Sequence, residues 1–142
     1  MKILLLNYEF PPLGGGAGNA TQNLAREFAK LGHDVLVFTS HYGELPFDET
    51  VDGYRIIRIK TLRQNVSRCS PFEVVVFCLS ALWHIPKVIR RWRPDKVMAF
   101  FSIPSGVVAY YLKIRFGLPY SVSLRGFDVP GFWEDRMKFF HY

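Results

Sequence analysis

Residues 2–39 constrain the fold most. The apolar run Ile3-Leu4-Leu5-Leu6 ends at Asn7, and a loop follows with glycine at Gly14, Gly15, Gly16 and Gly18. An amphipathic stretch then leads to a second apolar run, Val35-Leu36-Val37-Phe38. Short continuous apolar runs bounded by polar and turn residues are the pattern of strands buried on both faces. Between them Ala20, Leu24, Phe28 and Leu31 share one helical stripe, while Gln22, Arg26, Glu27 and Lys30 take the other side. Asn19 is a fitting N-cap for a helix that begins near Ala20, and Gly32 a fitting stop. Strand, glycine loop, helix and strand in that order predict a βαβ unit, hence parallel strands joined by a right-handed crossover.

The rest of the chain repeats the alternation. Ser40–Asp52 reads as a polar, acidic loop, and Tyr54–Lys60 as a strand nearer the sheet edge. Ser70-Pro71-Phe72-Glu73 combines an N-cap Ser, a first-position Pro and a capping-box Glu, so a helix should start there and run to Trp92. Pro86 inside it should kink or split it. Asp95–Phe101 reads as a buried strand, and Ser102-Ile103-Pro104 as the start of a helix that Gly117 stops. Pro119–Leu124 is a further strand, followed by a second glycine-bearing loop, residues 125–131, and a helix-like pattern from Phe132. Such alternation predicts an α/β fold, a Rossmann-like doubly wound parallel sheet in three layers. Ligands of such sheets bind outside the carboxyl ends of the strands, where both glycine loops fall.

Composition narrows the setting. The 142 residues suit one domain, and 49% hydrophobic content can build its core. Cys69 and Cys78 have no metal-like spacing, and a chain of this length needs no disulfide, which fits a reducing, cytoplasmic setting. The first apolar run is too short for a signal peptide. No uninterrupted apolar run reaches the roughly 18 residues of a membrane span. The expectation is a soluble protein, or one peripheral on the inner face of a membrane.

Charge is uneven. Met1–Tyr54 holds three basic against seven acidic residues, whereas Arg55–Arg93 holds nine basic residues against Glu73 alone. Arg55, Arg58, Lys60, Arg63, Arg68, Lys87, Arg90, Arg91 and Arg93 are therefore expected to form a patch. With the aromatic flank of Phe72, Phe77, Trp83 and Trp92, the patch suits an anionic membrane surface. The plainer reading has the last four complementing the end of their helix. Nucleic acid is not expected, because no recognised binding motif accompanies the charge.

The first glycine loop is a place for an anion. It opens a helix whose free N–H groups and dipole favour phosphate, and its glycines let a ligand approach the main chain. A dinucleotide fingerprint fails, because Asn19 stands where its last glycine belongs and Thr39-Ser40-His41 where a ribose-binding carboxylate is needed. A P-loop fails too, since no Gly-Lys-Ser/Thr follows.

The pattern resembles the N-terminal domain of retaining GT-B glycosyltransferases, in the group called family 4 or glycosyl transferases group 1. The matching stretches are Pro11-Pro12-Leu13-Gly14-Gly15, Leu24-Ala25, Leu31-Gly32-His33-Asp34-Val35, Asp52-Gly53-Tyr54-Arg55-Ile56, Arg93-Pro94-Asp95 and Ser123-Leu124-Arg125-Gly126-Phe127-Asp128. The resemblance implies transfer of a sugar from a UDP- or GDP-linked donor to a sugar or lipid-linked acceptor, with retention and no required metal or other cofactor. Cell-envelope, glycolipid or polysaccharide synthesis is the implied setting. It places Gly14, Gly15 and Gly16 beside the donor diphosphate and the acceptor. Asp128 and Arg125 then border the reacting sugar, Arg125 standing where many members carry a His. Arginine stays protonated and cannot act as a base. The family's second domain is not in this sequence, so residues 1–142 are expected to be a truncated acceptor-side domain, inactive alone although the full-length protein is a hexosyltransferase-type enzyme. The alternative is a non-catalytic Rossmann-like module that binds a phosphate ligand.

Overall fold

A computed structural model describes residues 1–66, 68–125 and 128–129. Six strands form one sheet: β1 (Lys2–Leu6), β2 (Asp34–Ser40), β3 (Asp48–Val51), β4 (Tyr54–Ile59), β5 (Lys96–Phe100) and β6 (Tyr120–Ser123). Their order is β3-β4-β2-β1-β5-β6, all parallel except β3, which pairs antiparallel with β4. Three helices complete the alternation: α1 (Gly16–Lys30), α2 (Pro71–Trp92) and α3 (Val107–Phe116). The fold is thus the predicted Rossmann-like α/β sheet, with one antiparallel edge.

Side-chain alternation divides the core in two. Leu4 and Leu6 of β1 and Leu36 and Phe38 of β2 point to the face covered by α2 and α3. Ile3, Leu5, Val35 and Val37 point to the other face, where α1 packs through Leu24, Ala25 and Phe28. This is the period of two that a doubly covered strand requires. The helix after β1 and the helix after β5 therefore lie on opposite faces, and a crevice opens between these neighbouring strands at their carboxyl ends.

Several expectations are met in detail. Ser70 caps α2 by accepting from the Glu73 N–H, while the Glu73 carboxylate accepts from the Ser70 N–H at 2.6 Å. Gly117 ends α3 in the left-handed conformation. Others are corrected. The helix α1 starts at Gly16, not near Ala20, and Asn19 lies within it. Tertiary anchors override weak glycine propensity here: the Asn7 amide donates to the Ala17 carbonyl and to Thr21 Oγ1, drawing the first turn onto the end of β1.

The stretch Ser40–Asp52 is not all loop. Its second half is β3, turned back on β4 through Asp52 and Gly53, both at positive φ. That Asp-Gly pair is a hairpin signal, masked by the polar sequence of an edge strand.

Pro86 does not split its helix. It removes one backbone hydrogen bond, while Phe77 and Ala81 before it and Ile85 and Ile89 after it bury on the same face and hold both halves to the sheet. Conversely, Ser102 starts no regular helix. Residues 101–106 are irregular, with Phe101 at φ +72° and Ile103 extended, as the residue before a proline prefers.

The basic segment does not form one patch. Arg58 is buried against Glu49 at 2.6 Å, Arg63 is buried against Glu9 at 3.3 Å, and Arg55 pairs with Asp48. Arg58 and Arg63 are thus neutralised inside the fold and Arg55 at its surface, because the neighbouring strand β3 and the loop after β1 bring carboxylates to them. By length and composition α2 is also apolar enough to cross a membrane, which counting only uninterrupted apolar runs missed. It packs on the sheet along one side.

Candidate active site

The carboxyl edge of β1 is built around Asn7, which is fully buried. Besides holding α1, its side-chain oxygen accepts from the Glu9 N–H at 3.0 Å, bending the chain out of the strand. Next to it Tyr8 packs against Phe77 of α2 and Phe101 beyond β5, so one ring spans the crevice. Burial, with the Glu9 carboxylate beside it, pushes the Tyr8 hydroxyl well above the usual phenol range, and it stays protonated.

A second segment braces this loop from outside the sequence motif. The Arg63 guanidinium lies over the Tyr8 ring at 5.7 Å and pairs with Glu9, its side chain only 2% exposed. The Gly14 N–H donates to the Val66 carbonyl at 2.7 Å. Thr61, Arg63 and Gln64, with Ser70, Phe72 and Glu73 at the start of α2, line a cavity of about 380 Å³ beside it. Sequence reasoning missed this brace; 54 residues separate Glu9 from Arg63, and neither carries a local signal of the other.

The glycines have distinct jobs. Gly14 sits at φ +80°, and a Cβ there would meet Glu9 Oε2 at 2.5 Å, so both backbone and space demand glycine. At Gly18 a Cβ would press the Leu13 carbonyl at 3.0 Å. Gly15 and Gly16 have nothing within 4 Å of a built Cβ and are exposed. The helix α1 begins on them with no side-chain cap and no acidic residue in its first turn. Among the described residues no side chain caps its free N–H groups or offsets its positive dipole end.

Two strands away, roughly 10 Å at the usual strand spacing, lies the loop after β6. Asp128 accepts from the Arg125 N–H at 2.6 Å and from the Ser102 N–H at 2.8 Å. Its carboxylate ties the irregular segment after β5 to the end of β6. Arg125 donates from Nε to Ser123 Oγ at 3.0 Å and lies over Phe100. Gly126, Phe127 and residues 130–142, including the helix-like pattern from Phe132, lie outside the described residues. Gly14–Gly16 and the residues Arg125 and Asp128 thus occupy the same sheet edge, either side of β5. They are not in contact through any hydrogen bond among the described residues.

Comparison with solved structures gives the same architecture. A sucrose-phosphate synthase from Thermosynechococcus elongatus superposes with a TM-score of 0.70 at 17% identity, over 86% of this chain and 32% of that one. A deacetylase of the teicoplanin biosynthesis pathway superposes with a TM-score of 0.52 at 15% identity, over 92% of this chain and 68% of that one. The chain spans about a third of the length of the synthase, and identities this low speak for fold alone. A search of curated proteins finds no match. Residues 15–140 match the family described as the glycosyl transferase 4-like domain, from the first glycines to beyond the Asp128 loop. The chain belongs to the glycosyl transferase 4-like family.

Proposed function

We propose that this domain is the acceptor-side half of a retaining glycosyltransferase that moves a sugar from a UDP- or GDP-linked donor to a sugar or lipid-linked acceptor. The observation that carries this reading is the bare start of α1. Gly15 and Gly16 leave its first turn exposed, uncapped and free of carboxylates, beside the crevice between β1 and β5. Donors fixed there would stabilise negative charge building on a departing diphosphate without reorganising.

In this proposal the remaining parts hold that geometry. Asn7, Tyr8 and the Glu9–Arg63 pair fix the loop that presents the N–H groups. Asp128 fixes the amides of Ser102 and Arg125, and Arg125 supplies a permanent positive charge at the sugar-facing side. Glycolipid, polysaccharide or cell-envelope synthesis, in the cytoplasm or on the inner face of a membrane, is the setting proposed.

The test is transfer by the full-length protein across a panel of nucleotide-sugars, read by release of nucleoside diphosphate and by the anomeric configuration of the product. Turnover with retention is expected, and residues 1–142 alone should give none and bind nucleotide weakly. An inverted product, or tight nucleotide binding by residues 1–142, would overturn the assignment.

A further inference from the structure

The helix α2 is apolar on two opposite sides, and the sheet uses only one. Phe77, Ala81, Ile85 and Ile89 pack inward. At about 100° per residue, Phe72, Val75, Leu79 and Trp83 form a line on the far side. They are 67%, 53%, 64% and 83% exposed. The same line continues through Lys87 to Arg90, both exposed. Lys60 lies alongside, since Ser80 Oγ donates to the Lys60 carbonyl at 2.9 Å. Among the described residues Lys60, Lys87, Arg90 and Arg91 make no ion pair, unlike Arg55, Arg58 and Arg63. The one carboxylate on α2, Glu73, is turned back into the capping box.

We infer that this outer face of α2 docks on an anionic lipid surface. An apolar row ending in a tryptophan and then in unpaired cations is the composition of an interfacial helix: apolar side chains enter the headgroup boundary, Trp sits at it, and Lys and Arg reach phosphates. Charge complementarity selects lipid over a second copy of the chain. A two-fold pairing would bring the unpaired cations of both copies to one interface. Four side chains also cover only a few hundred Å², below the roughly 800 Å² per partner of a stable dimer. The inference rests on the surface of α2 and not on the transfer reaction, and it narrows the expected membrane contact to the part of the basic segment on and beside α2, without the paired Arg55, Arg58 and Arg63.

Co-sedimentation with vesicles of phosphatidylcholine, alone and mixed with phosphatidylglycerol, tests it. Binding to the mixed vesicles only is expected, weakening with salt. Trp83 fluorescence should shift to the blue, and this shift should vanish in Trp83→Phe. Leu79→Ser with Trp83→Ser should abolish binding, and Lys87→Gln with Arg90→Gln should weaken it by about twenty- to thirtyfold. All four positions are exposed, and an unchanged circular dichroism spectrum checks the fold. Equal binding to neutral vesicles overturns the proposal, as does binding unchanged by the Leu79/Trp83 pair. So does self-association that those two substitutions abolish while vesicles are ignored. Protection of Trp83 from an aqueous quencher in a longer form of the polypeptide, without lipid, assigns the face to the rest of the chain and overturns it too.

Discussion

Two loops meet at the carboxyl edge of the sheet, and they spend their polar groups differently. The loop after β1 is braced from behind: Asn7, the Glu9–Arg63 pair and the Val66 carbonyl hold it, and among the described residues no side chain caps the N–H groups at the start of α1. The loop after β6 is tied to the segment after β5, with both carboxylate oxygens of Asp128 already accepting backbone N–H groups, from Arg125 and Ser102. A site needs both kinds: a surface with spare donors, and a clamp that keeps neighbouring strands from drifting. The contrast is between an acid whose carboxylate holds backbone and a helix start whose N–H groups no side chain among the described residues caps.

The brace gives the largest expected effect. Arg63→Ala leaves the Glu9 carboxylate, only 12% exposed, without its partner, and should cost about 3–5 kcal/mol in denaturant unfolding. Combining Arg63→Met with Glu9→Gln should recover most of that loss. An Arg63→Ala protein that unfolds at the parent's midpoint would show that the loop is held by something else.

Next comes the division of labour among the glycines. Gly14→Ala must adopt positive φ and displace Glu9, costing about 1–3 kcal/mol, whereas Gly16→Ala, at the open first position of α1, should stay within about 0.5 kcal/mol. Under the proposed function the ranking reverses for ligand contact, because a methyl group at Gly16 stands on the uncapped first turn of α1. Equal stability losses at the two positions would dissolve the contrast.

The smallest effect is at the clamp. Asp128→Asn keeps one acceptor oxygen and loses the other with the charge, so stability should fall by about 1 kcal/mol. Under the proposed function, sugar transfer should fall modestly. A loss of several orders of magnitude with unchanged stability would make Asp128 a reacting group rather than a holder.

A pH effect follows from the start of α2. Hydrogen bonds from the Ser70 and Gln64 N–H groups hold the Glu73 carboxyl below its ordinary value. Its contribution is therefore fully present above the ordinary carboxylate range and is lost as pH falls below that range and through the lowered folded-state value. Acid unfolding of Glu73→Gln should be less steep than that of the parent.

What could be read from sequence was whatever is local. Apolar runs gave five of the strands, Ser70-Pro71-Phe72-Glu73 gave a capping box, and Gly117 gave a helix end, because each acts within a turn or two of itself. What escaped was set by distant partners. Asn7 moved the start of α1, a buried stripe carried α2 through Pro86, and Glu9 and Glu49 removed Arg63 and Arg58 from the surface. The strand β3 escaped for another reason, since a polar edge strand looks like a loop. The glycine loop was legible as a strand-to-helix connection, but its brace, which lies beyond β4, was not.

That polar edge strand carries a consequence for how the protein behaves in concentrated solution. An open sheet margin is a template on which another extended chain can grow. Here the outer margin beyond β4 is taken by four residues, Asp48–Val51, two of them carboxylates already paired with arginines of β4. Shortness and charge make further strand addition unfavourable, so the hairpin acts as a guard against aggregation. The arginines that seemed to belong to a binding patch serve colloidal stability by holding this guard in register.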